Sequence, residues 1–228
     1  MSYLYQTPIK MPRGSHYGSD YWISYSFKLK RKIHLYSMLE YANFITIEMN
    51  PNVEYFCEQP LKIECFDDKS SKETSVFDFW VQYKDSSCEF QEVKYSCELT
   101  EQTDSAMRSQ KQIEFQRKWC LANGQSYRVI TEKDLYRGPF WIQNLELLHS
   151  HMLRSNPSES VYINRLLGLL SRSNFSVGDI IASEILPINY ELNILAYLFY
   201  NGAINMELES RPLDNYTEVS LCETKSII

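Results

Sequence analysis

In the stretch "FQEVKYS", Glu92 and Lys94 lie two residues apart, so they share one face of what reads as a half-buried strand. Upstream, Asp78 interrupts "VFDFWV", an otherwise nearly continuous apolar run. A buried carboxylate is costly without a partner. Asp78 is therefore either bonded to backbone at a bulge or set across a hairpin from Glu92 and Lys94. In the second arrangement two carboxylates repel each other, and a divalent cation is the natural compensation.

Asp-(x)n-Glu-x-Lys is the D…(D/E)xK signature of metal-dependent nucleases. Asp78 and Glu92 are hard oxygen ligands suited to Mg2+, and the Val93 carbonyl between Glu92 and Lys94 adds another. The cation polarises a scissile phosphate and acidifies a water, while Lys94 orients that water or offsets charge on phosphorus. Mg2+ is the expected cofactor, replaceable by Mn2+, at two ions per site. A third carboxylate, Glu40, leaves an otherwise apolar helix flank shared by Phe44 and Ile47. Ser37-x-x-Glu40 is also a capping box, in which Glu40 bonds back to the Ser37 amide. Both readings use the same carboxylate, and the spacing favours neither.

These side chains need a helix and a sheet to bring them together. "SMLEYANFITIEMNP" has Ser37 as N-cap, Met38, Tyr41, Ala42, Ile45 and Met49 at helical spacing, and Asn50-Pro51 as a stop. Two short strands flank Pro60. "ETSVFDFWVQY" and "CEFQEVKYS" read as a hairpin split by "KDSS", with Val76, Asp78 and Trp80 on one face. Residues 101–123 form a helix ending at Gly124, "SYRVIT" a strand, and "TEKDLYRG" a short helix capped by Thr131. Along the long helix, Arg108, Lys111, Phe115 and Lys118 recur as a mostly basic stripe, read either as a solvated face or as phosphate contacts.

The chain has 228 residues and a net charge of −6. That length allows one large domain or two small ones. No apolar run is long enough to span a bilayer, and the N-terminal residues show no secretion signal. Six cysteines lie outside any CxxC pair or zinc spacing, so reduced thiols in a cytosolic protein are expected. Only seven glycines occur, and no phosphate-binding loop or nucleophile elbow is present. The charge is uneven: residues 1–36 carry +5, residues 37–138 carry −6 and residues 139–228 carry −5. The first 36 residues read as an extended basic arm, with Lys28, Lys30, Arg31 and Lys32 among interspersed tyrosines. Such an arm suits either DNA or a neighbouring subunit.

Gly138-Pro139 marks the expected boundary, which gives the arm at 1–36, a catalytic domain at 37–138 and a third part at 139–228. In that last part, helices over "FWIQNLELLHSHML" and "NPSESVYINRLLGLLSRSN", the second capped near Ser158, precede a short helix in "SVGDIIASEI" and a longer one in "NYELNILAYLFYNGAI". A polar, strand-like tail follows. Helix, short helix, longer helix and hairpin is the order of a winged helix-turn-helix. The longer helix has no Lys or Arg and carries Glu191, which points to docking on protein rather than to reading DNA. Residues 205–228 carry no feature to which a role attaches.

Taken in order, "SMLEYANFITIEMNPNVEYFCEQPLKI", "SVFDFWVQY", "FQEVKYS", a long helix and "YRVITEKDL" resemble the TnsA family, the endonuclease subunit of heteromeric cut-and-paste transposases. The likeness spans roughly residues 20–138. It implies an α/β (α+β) restriction-endonuclease-like domain, a mixed sheet flanked by helices, followed by a small, mostly helical winged-helix-like domain. It implies Glu40, Asp78, Glu92 and Lys94 as the active site; the family places Glu or Gln at the position of Glu92. It also implies hydrolysis of the 5′ strand at transposon ends, a separate DDE-type transposase subunit for the 3′ ends, and an ATP-dependent regulator bound through residues 139–228. A bacterial, cytoplasmic, non-membrane protein follows. Two alternatives stand beside it: a stand-alone restriction or repair nuclease, disfavoured by the low basic content, and a non-catalytic winged-helix adaptor, disfavoured by the complete set of four site residues.

Overall fold

The Ser37 hydroxyl accepts the Glu40 amide at 3.0 Å and so starts helix α1 (Met38–Met49) where the N-cap signal lies. In this computed structural model, residues 3–10, 20–66, 72–153 and 160–222 are described. They fall into two units, Met1–Glu48 with Asn52–Leu135, and Met49–Pro51 with Tyr136–Ile228.

In the first unit, strands β1 (Trp22–Ser26) and β2 (Arg31–Leu35) pair as an antiparallel hairpin ahead of α1. The second half of the expected basic arm is thus folded, with Ile33 and Leu35 fully buried. Residues 11–19 of that arm lie outside the described residues. Glu48, near the end of α1 and wholly buried, pins the hairpin turn. It accepts the Ser26 hydroxyl at 2.6 Å and the amides of Phe27 and Lys28 at 2.9 and 3.3 Å.

The central sheet has the order β3 (Val53–Glu58), β6 (Phe79–Tyr83), β7 (Cys88–Val93), β8 (Tyr127–Ile130). The first two pairings are antiparallel and β7–β8 is parallel, reached by a crossover through helix α2 (Asp104–Ala122). Alternation sends Gln91 toward α1, where it accepts the Asn43 side-chain amide at 2.9 Å. Trp80 and Phe90 face the other way, into a cluster with Phe77, Ile63 and Cys120, against which Phe115 and Trp119 of α2 pack. Because sheet and hairpin cover α1 on two sides, its burial is wider than the expected stripe. Leu39, Phe44 and Ile47 are buried with Ala42, Ile45 and Met49, whereas Met38, expected inside, is 39% exposed. Helix α2 starts on the Thr103 hydroxyl and ends on Gly124 at φ +62°, where Gln125 and Gly124 donate to the Cys120 and Leu121 carbonyls. A short helix, α3 (Glu132–Leu135), closes the unit, with Thr131 bonded to Asp134 through amide and hydroxyl.

One strand reading is corrected. "ETSVFDFWVQY" is two strands, β5 (Lys72–Val76), which pairs with β4 (Lys62–Phe66) in a separate ribbon, and β6. Val76 therefore does not continue the face of Trp80. The break follows from Gln59-Pro60 lying opposite Phe77-Asp78. Gln59 has φ +39° and donates to the Asp78 carbonyl at 2.9 Å, and Pro60 has no amide to give the ladder. The ribbon bends there and leaves the central sheet.

The second unit holds α4 (Trp141–Leu153), α5 (Ser160–Leu170), β9 (Phe175–Ser176), α6 (Val177–Ala182), α7 (Glu191–Tyr200), β10 (Ile204–Met206) and β11 (Glu218–Leu221). Strands β10, β11 and β9 form an antiparallel sheet in that order, so part of the unassigned tail is the middle strand of a sheet. Ser158, expected to cap the second helix, lies outside the described residues. Leu166, Ile180, Leu195 and Val219 centre the core, and Ser176 with Asp179 makes a reciprocal cap for α6.

Glu48→Ala removes the acceptor of three donors at the β1–β2 turn. It is expected to destabilise the protein by about 3 kcal/mol in urea unfolding; a loss below about 1 kcal/mol would show that the hairpin does not depend on this carboxylate.

Candidate active site

The bend at Phe77-Asp78 decides where the first acid stands. The pairing of Phe79 with Gln91 continues outward to set Asp78 opposite Glu92. Freed from the strand, Asp78 takes the Val93 amide on Oδ2 at 2.7 Å. Both sequence readings of Asp78 thus hold together: it bonds backbone at a break, and it lies across from Glu92.

Glu92 is fully buried, and three donors hold its carboxylate. The Lys94 ammonium donates to Oε1 at 2.7 Å, Gln112 to Oε1 at 2.8 Å and Gln116 to Oε2 at 2.7 Å. Gln116, itself fully buried, has its amide oriented by the Tyr127 hydroxyl, which donates to Oε1 at 2.7 Å and leaves Nε2 to donate. Ser75 accepts from both glutamines. Sequence reading missed Gln112 and Gln116. The signal was their i, i+4 spacing on α2, one step from the basic residues that drew notice.

Glu40 resolves its two uses in an unforeseen way. The Ser37 hydroxyl caps its amide, but its carboxylate returns to the Tyr36 amide at 3.1 Å rather than to that of Ser37, with Gln59 at 3.5 Å. Both of these donors reach Oε2, and the Ser37 side chain bonds the same carboxylate. Glu40, Asp78, Glu92, Val93 and Lys94 line one cleft of about 290 Å³, with Glu98 at its rim held by Ser109 and the Tyr95 amide.

Burial raises all three acids. Glu40 and Asp78 are pushed up to about 7, Glu40 with Glu92 as an added repulsion and Asp78 with Glu40. Glu92 goes to about 8, by burial and then the Asp78 charge, against the pull of Lys94 and Gln116. Burial pulls Lys94 down, but the charges of Glu92 and Asp78 outweigh it and hold the ammonium above its ordinary value. Lys94 is therefore a fixed cation here and not a free base.

The donor set fits a hard divalent cation in kind: Glu40, Asp78, Glu92 and Glu98 line a cleft with one ammonium, and burial outweighs the Lys94 charge in raising the first three. As the side chains stand, no three His, Cys, Asp or Glu groups among the described residues converge to hold an ion. Glu92 in particular is turned to Lys94 and the glutamines.

The expected phosphate contacts divide. Lys28 donates to the Val53 carbonyl at 2.8 Å, and burial lowers it to about 8. Arg31 forks onto the buried Glu58 at 2.5 and 2.6 Å. Both are committed within the fold. Lys30 and Lys32 are exposed. On α2, Phe115 turns into the core and leaves the basic stripe, while Lys111 and Lys118 pair with Glu73 and Glu114 at the surface and Arg108 bonds the Asp104 carbonyl.

Residues 50–132 match the family model described as TnsA-like endonuclease N terminal. This stretch is thus similar to the N-terminal endonuclease domain of TnsA-like proteins. The match contains Asp78, Glu92, Lys94, Gln112 and Gln116, and begins after Glu40. A comparison with curated proteins found no match. A match of this kind implies a nuclease, and the mixed sheet flanked by helices is consistent with a restriction-endonuclease-like fold. No helix among the described residues is long and apolar enough to cross a membrane.

The raised acids set a pH dependence. Glu40 and Asp78 bind protons more tightly folded than unfolded, so the folded chain holds the extra protons between their ordinary values of 4.5 and 3.8 and about 7. Stability without metal is expected to fall as pH rises through that window. Mg2+ is expected to raise the melting temperature more near pH 8 than near pH 5, measured against EDTA across pH; an equal shift at both would exclude these acids as its ligands.

Proposed function

We propose that the protein is the Mg2+-dependent endonuclease subunit of a transposase complex and hydrolyses the 5′-strand phosphodiester at transposon ends. The observation that carries this is the convergence of Glu40, Asp78, Glu92 and Lys94 on one cleft in a TnsA-like domain. Glu40, Asp78, Glu92 and the Val93 carbonyl would hold the ion. When bound, Mg2+ or Mn2+ supplies Lewis-acid polarisation of the phosphate and a more acidic attacking water.

The chain's own residues have separable parts. Lys94, bonded to Glu92 at 2.7 Å and lining the cleft, places an ammonium where the phosphorane gathers negative charge and orients the water. Gln112 and Gln116 fix the Glu92 carboxylate, and Tyr127 fixes Gln116. The bonded Val93 amide keeps Asp78 from swinging out of the cleft. Together they supply positioning, on which phosphodiester hydrolysis depends.

A separate DDE-type transposase subunit handles the 3′ ends in this reading, and residues 139–228 form a winged-helix-like module that docks an ATP-dependent regulator. The order α5, β9, α6, α7, β10, β11 supports the module. Helix α7 carries no Lys or Arg, and Ile188 (83% exposed), Tyr190 and Tyr216 present apolar surface, which suits a protein partner better than phosphate. A bacterial cytoplasmic setting belongs to the same reading.

Asp78→Ala and Lys94→Ala are each expected to lower 5′-strand cutting by about a thousandfold or more, read on denaturing gels of end-labelled transposon DNA with the transposase partner and Mg2+. Full cutting by either variant would overturn the site assignment.

A further inference from the structure

A second groove, of about 410 Å³, lies in the same unit as the catalytic cleft. Lys10, Lys32, Tyr21 and His34 line it, and Tyr36 belongs to both groove and cleft. The two meet at Glu40, whose carboxylate bonds the Tyr36 amide and lies 3.5 Å from Gln59, another groove residue. Anything seated on the carboxylates therefore continues naturally into the groove.

Its charge is sharper than the sequence suggests. Glu58, the acid in its wall, is buried and fully engaged by the Arg31 fork. Lys10 and Lys32 are exposed and form no ion pair with a described residue. In a chain of net charge −6, two uncompensated ammonium groups beside an acidic cleft need a reason. The wall between them is aromatic: Tyr21 stacks on His34 with centroids 5.8 Å apart and leans on Tyr36 at 5.6 Å, and its hydroxyl meets His34 Nδ1 at 2.5 Å. Tyr21 is 40% exposed. Alternating cations and ring faces is the chemistry that tracks a nucleic-acid strand: ammonium groups for phosphates, rings for sugars and bases.

We propose that this groove holds the DNA strand flanking the scissile phosphate, with Lys10 and Lys32 on successive backbone phosphates and the Tyr21–His34 pair against a nucleotide. The inference rests on the nuclease reading above and adds the path of the strand: out of the cleft past Tyr36, along the β1–β2 hairpin, to the N-terminal segment. It gives the hairpin a task beyond packing, and it separates Lys32, which binds, from Lys28 and Arg31, which build.

The test is fluorescence anisotropy of the full chain with a short labelled DNA duplex at about 50 mM salt, with Ca2+ in place of Mg2+ to prevent cutting, followed by a salt titration. Lys10→Ala/Lys32→Ala is expected to weaken binding about tenfold and to reduce the slope of log affinity against log salt by about 2, the loss of two phosphate contacts. Tyr21→Ala is expected to weaken binding with an unchanged slope, since it removes stacking and no charge. Lys62→Ala/Lys133→Ala removes the same charge from other surfaces and is expected to leave the slope as it was. Equal losses from both double variants would overturn the groove, because a general charge effect would then explain them. Cutting in Mg2+ by Asp78→Asn separates the two readings. If that variant still cuts, the catalytic assignment fails whatever the groove does. If it is inactive while Lys10→Ala/Lys32→Ala binds like the parent, the groove alone fails.

Discussion

Three carboxylates in a cleft with one ammonium repel each other more than Lys94 can balance, and much of the first unit is arranged around that repulsion. Asp78 is restrained by the Val93 amide, Glu40 by the Tyr36 amide, and Glu92 by Lys94 and two glutamines. None of these restraints neutralises the set, which is why burial raises every member. A fold seeking only stability would replace such a group by apolar side chains. In the proposed function an ion and a substrate would supply the missing counter-charge.

Backbone, more than rotamer choice, sets the geometry of that cleft. The left-handed Gln59 and the missing amide of Pro60 bend the long ribbon opposite Phe77-Asp78. β6 begins one residue after Asp78, past the bend, and the carboxylate is turned to the Val93 amide at the end of β7. On the other side of the sheet, Asn43 of α1 grips Gln91, which fixes the helix that presents Glu40. The two acids that flank Glu92 are therefore delivered by a kinked ribbon and a buried helix, each locked to strand β7.

What could be read from residues alone follows the range of the interactions involved. Ser37, Thr131, Gly124 and Asn50-Pro51 act within one turn of chain, and each punctuates the fold where the sequence places it. Strand alternation put Glu92 and Lys94 together and set Asp78 opposite them, because period and register are nearly local. The errors lie where a distant partner decides. Nothing beside Arg31 or Lys28 announces Glu58 or the Val53 carbonyl, so these partners were not legible in the sequence. Met38 looked buried because a single stripe was assumed for a helix that is enclosed from two sides. The break at Phe77 was hidden because a bent ribbon keeps its apolar pattern through the bend. Gln112 and Gln116, uncharged amides on a helix, drew no reading, because the buried carboxylate they bond is remote in sequence.

Tyr127 stands on β8, the last strand to join the sheet and the one parallel pairing in it, after the whole of α2 has crossed over. Its hydroxyl is what aims the Gln116 amide at Glu92. The parallel crossover is a long-range closure and so a late event in folding. A chain leaving the ribosome has all its acids and its lysine well before this strand is made, yet it lacks the clamp that aligns them. The clamp on Glu92 is thus complete only when the domain is.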